Sequence, residues 1–289
     1  MPTLLALLAL LASPAPVAQL SEAQLDGKIA QAHAAPFADR VDTLSKLFLG
    51  TPYGEGPLGE GSGIEPAPRW RTDSVDCQTF VETVLAMANS TSLEQAKLVL
   101  DDLRYAKAPL SFATRNHFTE AQWLPANIGK GYLQEATSEL DPDAPKETLV
   151  LHRAQWSRVA GLQRLEPADI PEGKFSLRYL PLAEALQKAP RFTPGSVILV
   201  VREEDPARVV RVSHMGLVVR GEAGLVVRHA ALGDDHRVID EPLARFLQRQ
   251  TEFKKWPVVG VALARPVEAR ARVVQVVKTA QAQAGKTKN

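Results

Sequence analysis

The chain has 289 residues, 45% of them apolar and 23% charged, with a formal net charge of +1. That composition supports a substantial core, and the even charge balance excludes a protein that binds nucleic acid through a broad basic face. A single cysteine excludes an internal disulfide and leaves one thiol to account for.

The N-terminus carries the apolar run Leu4 to Ala12, too short to span a bilayer but long enough for the core of a secretory signal. Ser13 to Ala18 supplies the small residues and prolines found near a cleavage site, although no Lys or Arg precedes the run. Residues 1–18 therefore read as a signal peptide. No cysteine follows that would take a lipid, so the mature protein is expected to be periplasmic or secreted, without a membrane anchor. Residues 19–267 read as a single domain, and residues 268–289 as a helical, basic tail. The oligomeric state is not legible in the sequence.

Ser21 to His33 is a helix candidate, and Asp39 to Leu49 a second with Val41, Leu44, Leu47 and Phe48 at helical spacing. Gly50 stops it, and Pro52 and Tyr53 follow. Gly54 to Arg71 is rich in Gly, Pro and Glu, without periodicity, and reads as a long loop. In Cys77 to Ala88, Cys77, Phe80, Val81, Val84, Leu85 and Ala88 share one helical face. Ser74 and Asp76 are capping residue types just before it. A thiol in the first turn meets the positive end of the helix dipole and unpaired N–H groups, both of which favour thiolate. A free cysteine is also often simply a small buried hydrophobe, so position alone does not decide its role.

Ser92 to Leu103 is a further helix. Arg115, Asn116 and His117, with Trp123 and Asn127 beyond, suit either a substrate-lining loop or a surface loop over a packed Trp. Glu147 to His152 reads as a strand, and Arg153 to Arg164 and Leu182 to Lys188 as helices. Gly195 to Val201, Arg208 to Arg220, Leu225 to Ala230 and His236 to Ile239 read as successive strands. Glu241 to Gln248 reads as a helix with Pro242 at its start, Pro257 to Leu263 as a last strand and Glu268 to Asn289 as a terminal helix. Helices first and antiparallel strands second predict an α+β fold.

Two successive strands of one hairpin carry His214 and His229. Gly221 at the first central position of a two-residue turn would be type II′ and would set His214 directly opposite His229, with facing Cβ atoms about 4.5–5.5 Å apart. A four-residue loop from Gly221 to Gly224 would instead place His214 opposite Ala231 and make His229 its diagonal neighbour. Either register allows a Cys77–His214–His229 set, with His214 as base and His229 orienting it. His33, His152 and His236 read as satisfied core or surface residues. His117, His214, His229 and Asp76 could in principle hold zinc, but the chain has no His-Glu-x-x-His and no cysteine pair, so no cofactor is called for.

Gly50-Thr51-Pro52-Tyr53, Asp76-Cys77 opening a helix, Ser213-His214-Met215-Gly216 and His229-Ala230 resemble the NlpC-type cell-wall hydrolases. Asp76 to Glu82, Arg115 to Phe118 with Trp123, and Arg265-Pro266 are closer to the N-acetylmuramoyl-L-alanine amidase-like branch. The resemblance covers about Leu44 to Pro266. It implies a papain-like fold, the Cys-bearing helix packed on an antiparallel sheet that bears the histidines. It implies Cys77 as nucleophile, His214 as base and His229 as third member. Tyr53 and Asp76 match positions that hold a stem-peptide amine in related endopeptidases, and Arg115, Asn116, His117 and Trp123 fall in the expected cleft wall. The implied partner is peptidoglycan or a muropeptide. The bond could be muramoyl–L-Ala or, alternatively, γ-D-Glu–diaminopimelate, and a non-catalytic wall-binding module is the reading from another class. Gly195-Ser196 and Ala231 depart from the family's usual Gly-Asp and Ser.

Overall fold

A computed structural model describes residues 16–156, 162–169, 172–205 and 207–286. Residues 1–15 of the predicted signal, 157–161 of the predicted helix after Arg153 and 287–289 of the tail lie outside the described residues. Four helices come first: α1 (Glu22–Ala32), α2 (Phe37–Lys46), α3 (Cys77–Ala88) and α4 (Leu93–Arg104). Next come α5 (Leu124–Gly129), β1 (Leu133–Glu135), α6 (Thr137–Leu140), β2 (Lys146–Leu151) and α7 (Arg153–Trp156). Then follow β3 (Gly173–Arg178), β4 (Leu180–Pro181), α8 (Leu182–Lys188), β5 (Val197–Arg202), β6 (Val212–Gly221), β7 (Gly224–Ala230) and β8 (Val238–Pro242). The chain closes with α9 (Leu243–Gln250), β9 (Val258–Pro266) and α10 (Arg270–Lys286). None of these helices is long and apolar enough to cross a membrane.

The early helices form where the sequence supplies both a stripe and a cap. Ser21 caps α1 by accepting from the Gln24 N–H, while Gln24 returns a bond to the Ser21 N–H. Asp76 and Thr79 make the same reciprocal box on α3, a device worth about 1 kcal/mol per cap. Pro36, not Asp39, precedes the first turn of α2, because proline's fixed φ leads naturally into a helix.

The main sheet runs β1-β9-β5-β6-β7-β8, with β4 also on β9, and every pair is antiparallel. Strands β5 to β8 form a meander, and β9 returns to the other side of β5. Alternation sorts the side chains onto two faces. Val197, Leu199 and Val201 of β5 join the core under α1 to α4. Ile198 and Val200 join the core under α8 and α9. Both faces of the sheet are therefore covered, which is why β5 reads as an unbroken apolar run rather than an alternating one. β2 and β3 form a separate two-stranded sheet over a third cluster that includes Phe112, Phe118 and Leu151. Val17 is buried, and its N–H donates to the Leu47 carbonyl at 2.7 Å.

The structure corrects the sequence reading in three places. β3 and β4 fall in a stretch that the sequence presents as a connector, and β1 in one for which it shows no element. β1 and β4 are three and two residues long, too short to show a period. The β6–β7 ladder pairs Leu217 with Arg228 and Gly221 with Gly224, so the direct His214–His229 pairing and the type II′ turn are both wrong. Glu222 and Ala223 alone lie outside the ladder, and the positive φ, +133°, belongs to Gly224. Glu241 and Pro242 are the end of β8, not the start of a helix, and Pro242 caps α9 from outside.

Candidate functional site

The capping box fixes where α3 begins and so fixes the direction of Cys77. Asp76 Oδ1 accepts from the Thr79 N–H at 2.7 Å and from its hydroxyl at 2.9 Å, which spends one carboxylate oxygen on the helix. α3 packs against β6, and the half-buried thiol meets the backbone N–H of Met215, the residue after His214. Burial pushes the Cys77 thiol up to about 12, and the Asp76 charge adds to this. The N–H groups of Met215, Gln78 and Cys77 itself oppose the rise. The expectation of a ready thiolate is therefore not met: helix-terminal donors are present, but desolvation outweighs them.

The segment before the long loop is held close to this helix. Gly50 N–H donates to Val238 O, Tyr53 N–H donates to His236 O, and Tyr53 bridges Val75 in parallel. Burial raises the pKa of the Tyr53 hydroxyl, and the neighbouring Cys77 and Asp76 raise it further, so the phenol stays protonated beside the thiol.

On the sheet, the observed register sets His229 diagonal to His214, and a diagonal neighbour is still within side-chain reach. His214 Nε2 and His229 Nδ1 are 2.9 Å apart, with the rings nearly perpendicular. The space between the strands exists because residue 216 is glycine. A Cβ there would lie 2.8 Å from the His229 Cβ and 2.9 Å from the Arg228 carbonyl. Behind His229, Glu241 Oε2 lies 3.3 Å from His229 Nε2. Glu241 accepts from Arg249 Nε at 3.0 Å and Nη2 at 2.6 Å. Burial opposes ionisation of Glu241, but the neighbouring His229 and Arg249 outweigh it and hold the carboxyl down at about 2. Burial, followed by His229, Arg249 and Arg202, pushes His214 well below the ordinary histidine value, with Glu241 pulling the other way. In the resting site thiol and imidazole are therefore both neutral.

A polar cavity of about 210 Å³ adjoins the start of α3 and is lined by Asp76, Gln78, Glu82, Arg104, Arg115, Asn116 and His117. Arg115 pairs with Glu65 at 2.7 Å. His117 Nε2 lies 2.6 Å from the Phe112 carbonyl, and burial, then Arg115, pushes it down to about 4. Burial drives Glu82 up to about 7 against the pull of Arg104, and its Oε2, 3.3 Å from Arg104 Nε, has no hydrogen-bond partner among the described residues. Arg115, Asn116 and His117 are thus brought together with Asp76. Trp123 is not: it is fully buried in the core and does not line this cavity. A larger cavity, about 880 Å³, lies between α4 and α10 and is lined by none of the residues singled out from the sequence.

Glu241, Arg249, Gly216 and Glu82 were not singled out from the sequence. Glu241 was hidden by assigning it to a helix. In β8 Val238 and Glu241, three residues apart, are both buried, so no period-two pattern marked it as a strand.

Fold and site together define an α+β protein in which a helix-borne thiol meets a histidine-bearing antiparallel sheet. Residues 43–253 match the AmiA-like family, described as N-acetylmuramoyl-L-alanine amidase-like, and the chain belongs to this family. No curated protein matches. Among solved structures, the chain is similar to a Legionella pneumophila protein of the DUF1460 family, with TM-score 0.74 and 22% identity over 85% of this chain and 94% of that one. It is also similar to an N-acetylmuramoyl-L-alanine amidase from Bacteroides uniformis, with TM-score 0.63 and 24% identity over 80% of this chain and 98% of that one.

Proposed function

We propose that this protein is an exported cysteine hydrolase of the NlpC type, with a papain-like fold. It cleaves an amide bond of peptidoglycan, the bond between muramic acid and L-alanine. The observation that carries the reading is the thiol at the start of α3, set against the backbone N–H of Met215, the residue that follows a His214 held 2.9 Å from His229. The family and the Bacteroides relative support the substrate class. The folded domain is the 19–267 unit and residues 1–18 are the export signal, of which Val17 packs into the described fold.

The chemistry follows from the neutral resting pair. As Sγ of Cys77 attacks the amide carbon, its proton passes to His214. Backbone N–H groups at the α3 N-terminus, including that of Cys77, stabilise the oxyanion. His214 then protonates the leaving amine, and a thioester remains on Cys77. Water attacks the thioester, His214 takes the water proton, and Cys77 leaves and recovers it. Arg115, Asn116 and His117, with Tyr53 and Asp76, form the wall beside the thiol. Trp123 supports that wall from within the core.

The experiment is digestion of purified sacculi and defined muropeptides, read by mass spectrometry. Wild type is expected to release stem peptides with a free L-alanine amine, Cys77→Ala none. Iodoacetamide is expected to abolish the activity and a chelator to leave it. Cleavage by Cys77→Ala overturns the nucleophile assignment, and products cut at γ-D-Glu–diaminopimelate overturn the bond.

A further inference from the structure

We propose that Glu241 is a positioning residue for the Cys77–His214 pair, acting through His229 as the outer end of a relay across three strands. This deepens the proposed function and rests on its reading of Cys77 and His214.

The relay is built from two diagonal steps. His229 reaches back to His214 on β6 at 2.9 Å and on to Glu241 on β8 at 3.3 Å. His229 pairs with Ile239 and Glu241 with Val227, so Glu241 occupies on β8 the diagonal position that His214 occupies on β6. At 3.3 Å the contact of His229 Nε2 with Glu241 is within ion-pair distance but is not aligned as a hydrogen bond, and the buried Nε2 has no hydrogen-bond partner among the described residues. Both oxygens of Glu241 are held from α9 by Arg249, so the carboxylate cannot turn away.

A neutral imidazole carries one N–H. Placed on Nε2 of His229, it meets a carboxylate; placed on Nδ1, it leaves a lone pair facing that carboxylate in a buried site. The first arrangement makes His229 Nδ1 an acceptor. His214 must then donate from Nε2, and its Nδ1 is left with the lone pair that a thiol proton needs. Glu241 thereby fixes both tautomers, the role that an outer carboxylate plays in a hydrolytic triad. Its charge also favours the imidazolium that forms on His214 during attack. The other charged groups around it are Asp234, Asp235, Asp240 and Arg245, which line the same cavity of about 340 Å³. Arg228 turns to the opposite face, where it binds both oxygens of Asp240 at 2.7 and 2.8 Å and reaches Asp42 and Ser45, and Arg202 approaches His214 from β5.

The test is Glu241→Gln, read by the pH dependence of Cys77 alkylation with iodoacetamide. With a neutral resting pair, the plateau rate follows the fraction of thiolate–imidazolium, and the acid limb reports protonation of His214. Loss of the carboxylate charge lowers His214 basicity, so the plateau should fall about tenfold and the limb should move about one pH unit lower, one loss read twice. Glu241→Asp, which keeps the charge, should recover part of both. Hydrolysis should show the loss in kcat rather than KM. A merely structural role lowers the plateau with the limb unmoved and makes Asp no better than Gln; that result, or a wild-type profile, overturns the proposal. If Glu241→Gln does not fold, Glu241→Gln/Arg249→Gln leaves no unpaired charge and is compared with Arg249→Gln, where an unshifted limb is again fatal. Alkylation needs no substrate. A protein that alkylates as described but cuts no muropeptide keeps the relay and loses the proposed function. One that cuts muropeptides without the shift does the reverse.

Discussion

Gly216→Ala adds one methyl group between the two histidine strands. The new Cβ would sit 2.8 Å from the His229 Cβ, 2.9 Å from the Arg228 carbonyl and 2.9 Å from Val227 Cγ1. Carbon atoms pack at about 3.5–4.0 Å, so β6 and β7 must part by most of an ångström. Two of the three obstacles are a Cβ and a main-chain carbonyl, which no side-chain rotation can move. Overpacking of this kind costs about 1–3 kcal/mol, and about 2 kcal/mol is expected here. The same movement carries His229 away from a partner now 2.9 Å distant. A misplacement of about 1 Å in a catalytic group costs about 100-fold, so kcat is expected to fall about 100-fold. Urea unfolding followed by tryptophan fluorescence measures the first quantity, and muropeptide hydrolysis the second. Gly221→Ala is the control. Its Cβ would meet Val226 Cγ1 at 2.6 Å, but at the tip of the hairpin, so stability should fall while kcat stays within about twofold. A Gly216→Ala enzyme with near wild-type kcat would refute the reasoning, as would a Gly221→Ala enzyme equally impaired.

The pH dependence supplies two more expectations. His214 titrates below the ordinary histidine range and Cys77 near 12, so kcat/KM should be flat from about pH 6.5 up to about pH 9. A basic limb below about pH 9, where an imidazolium would lose its proton, would show that the resting pair is ionic instead. For stability, His117 is held down at about 4. Its contribution is present above the ordinary value of about 6.5 and is lost as pH falls toward 4. Glu82, raised to about 7, has the opposite sign: its contribution is present below about 4.5 and is lost as pH rises through 7. His117→Gln should therefore remove about 2–3 kcal/mol of destabilisation between pH 6.5 and pH 4.5 relative to wild type. Urea midpoints at the two pH values measure this, and unchanged slopes would contradict it.

Helices α1, α3 and α4 were legible because each carries its own stripe and its own cap. The seat of Cys77 in a first turn was legible for the same reason. β5 could be found from composition alone, since burial on both faces demands an unbroken apolar run. The histidine register was not legible. Glycines at 221 and 224 permit two turns, and the choice depends on how β6 and β7 pack between the helical layers. Glu241 was misplaced because a proline after an acidic residue suits a helix start as well as a strand end.

By itself the sequence determined the local matters: which segments are helical, where α3 starts, that one thiol is available and that two histidines lie on neighbouring strands. These depend on periodicity, capping and residue chemistry over a few positions. Tertiary structure decided the protonation and the geometry. Packing desolvates Cys77 and His214, so their pair rests neutral despite the helix N-terminus. The strand register opens a gap at Gly216 that only glycine leaves free. It also carries Glu241, distant from His214 in the chain, to within 3.3 Å of the His229 ring that His214 contacts. Desolvation and strand register are both sums over contacts remote in sequence, and no local pattern encodes them.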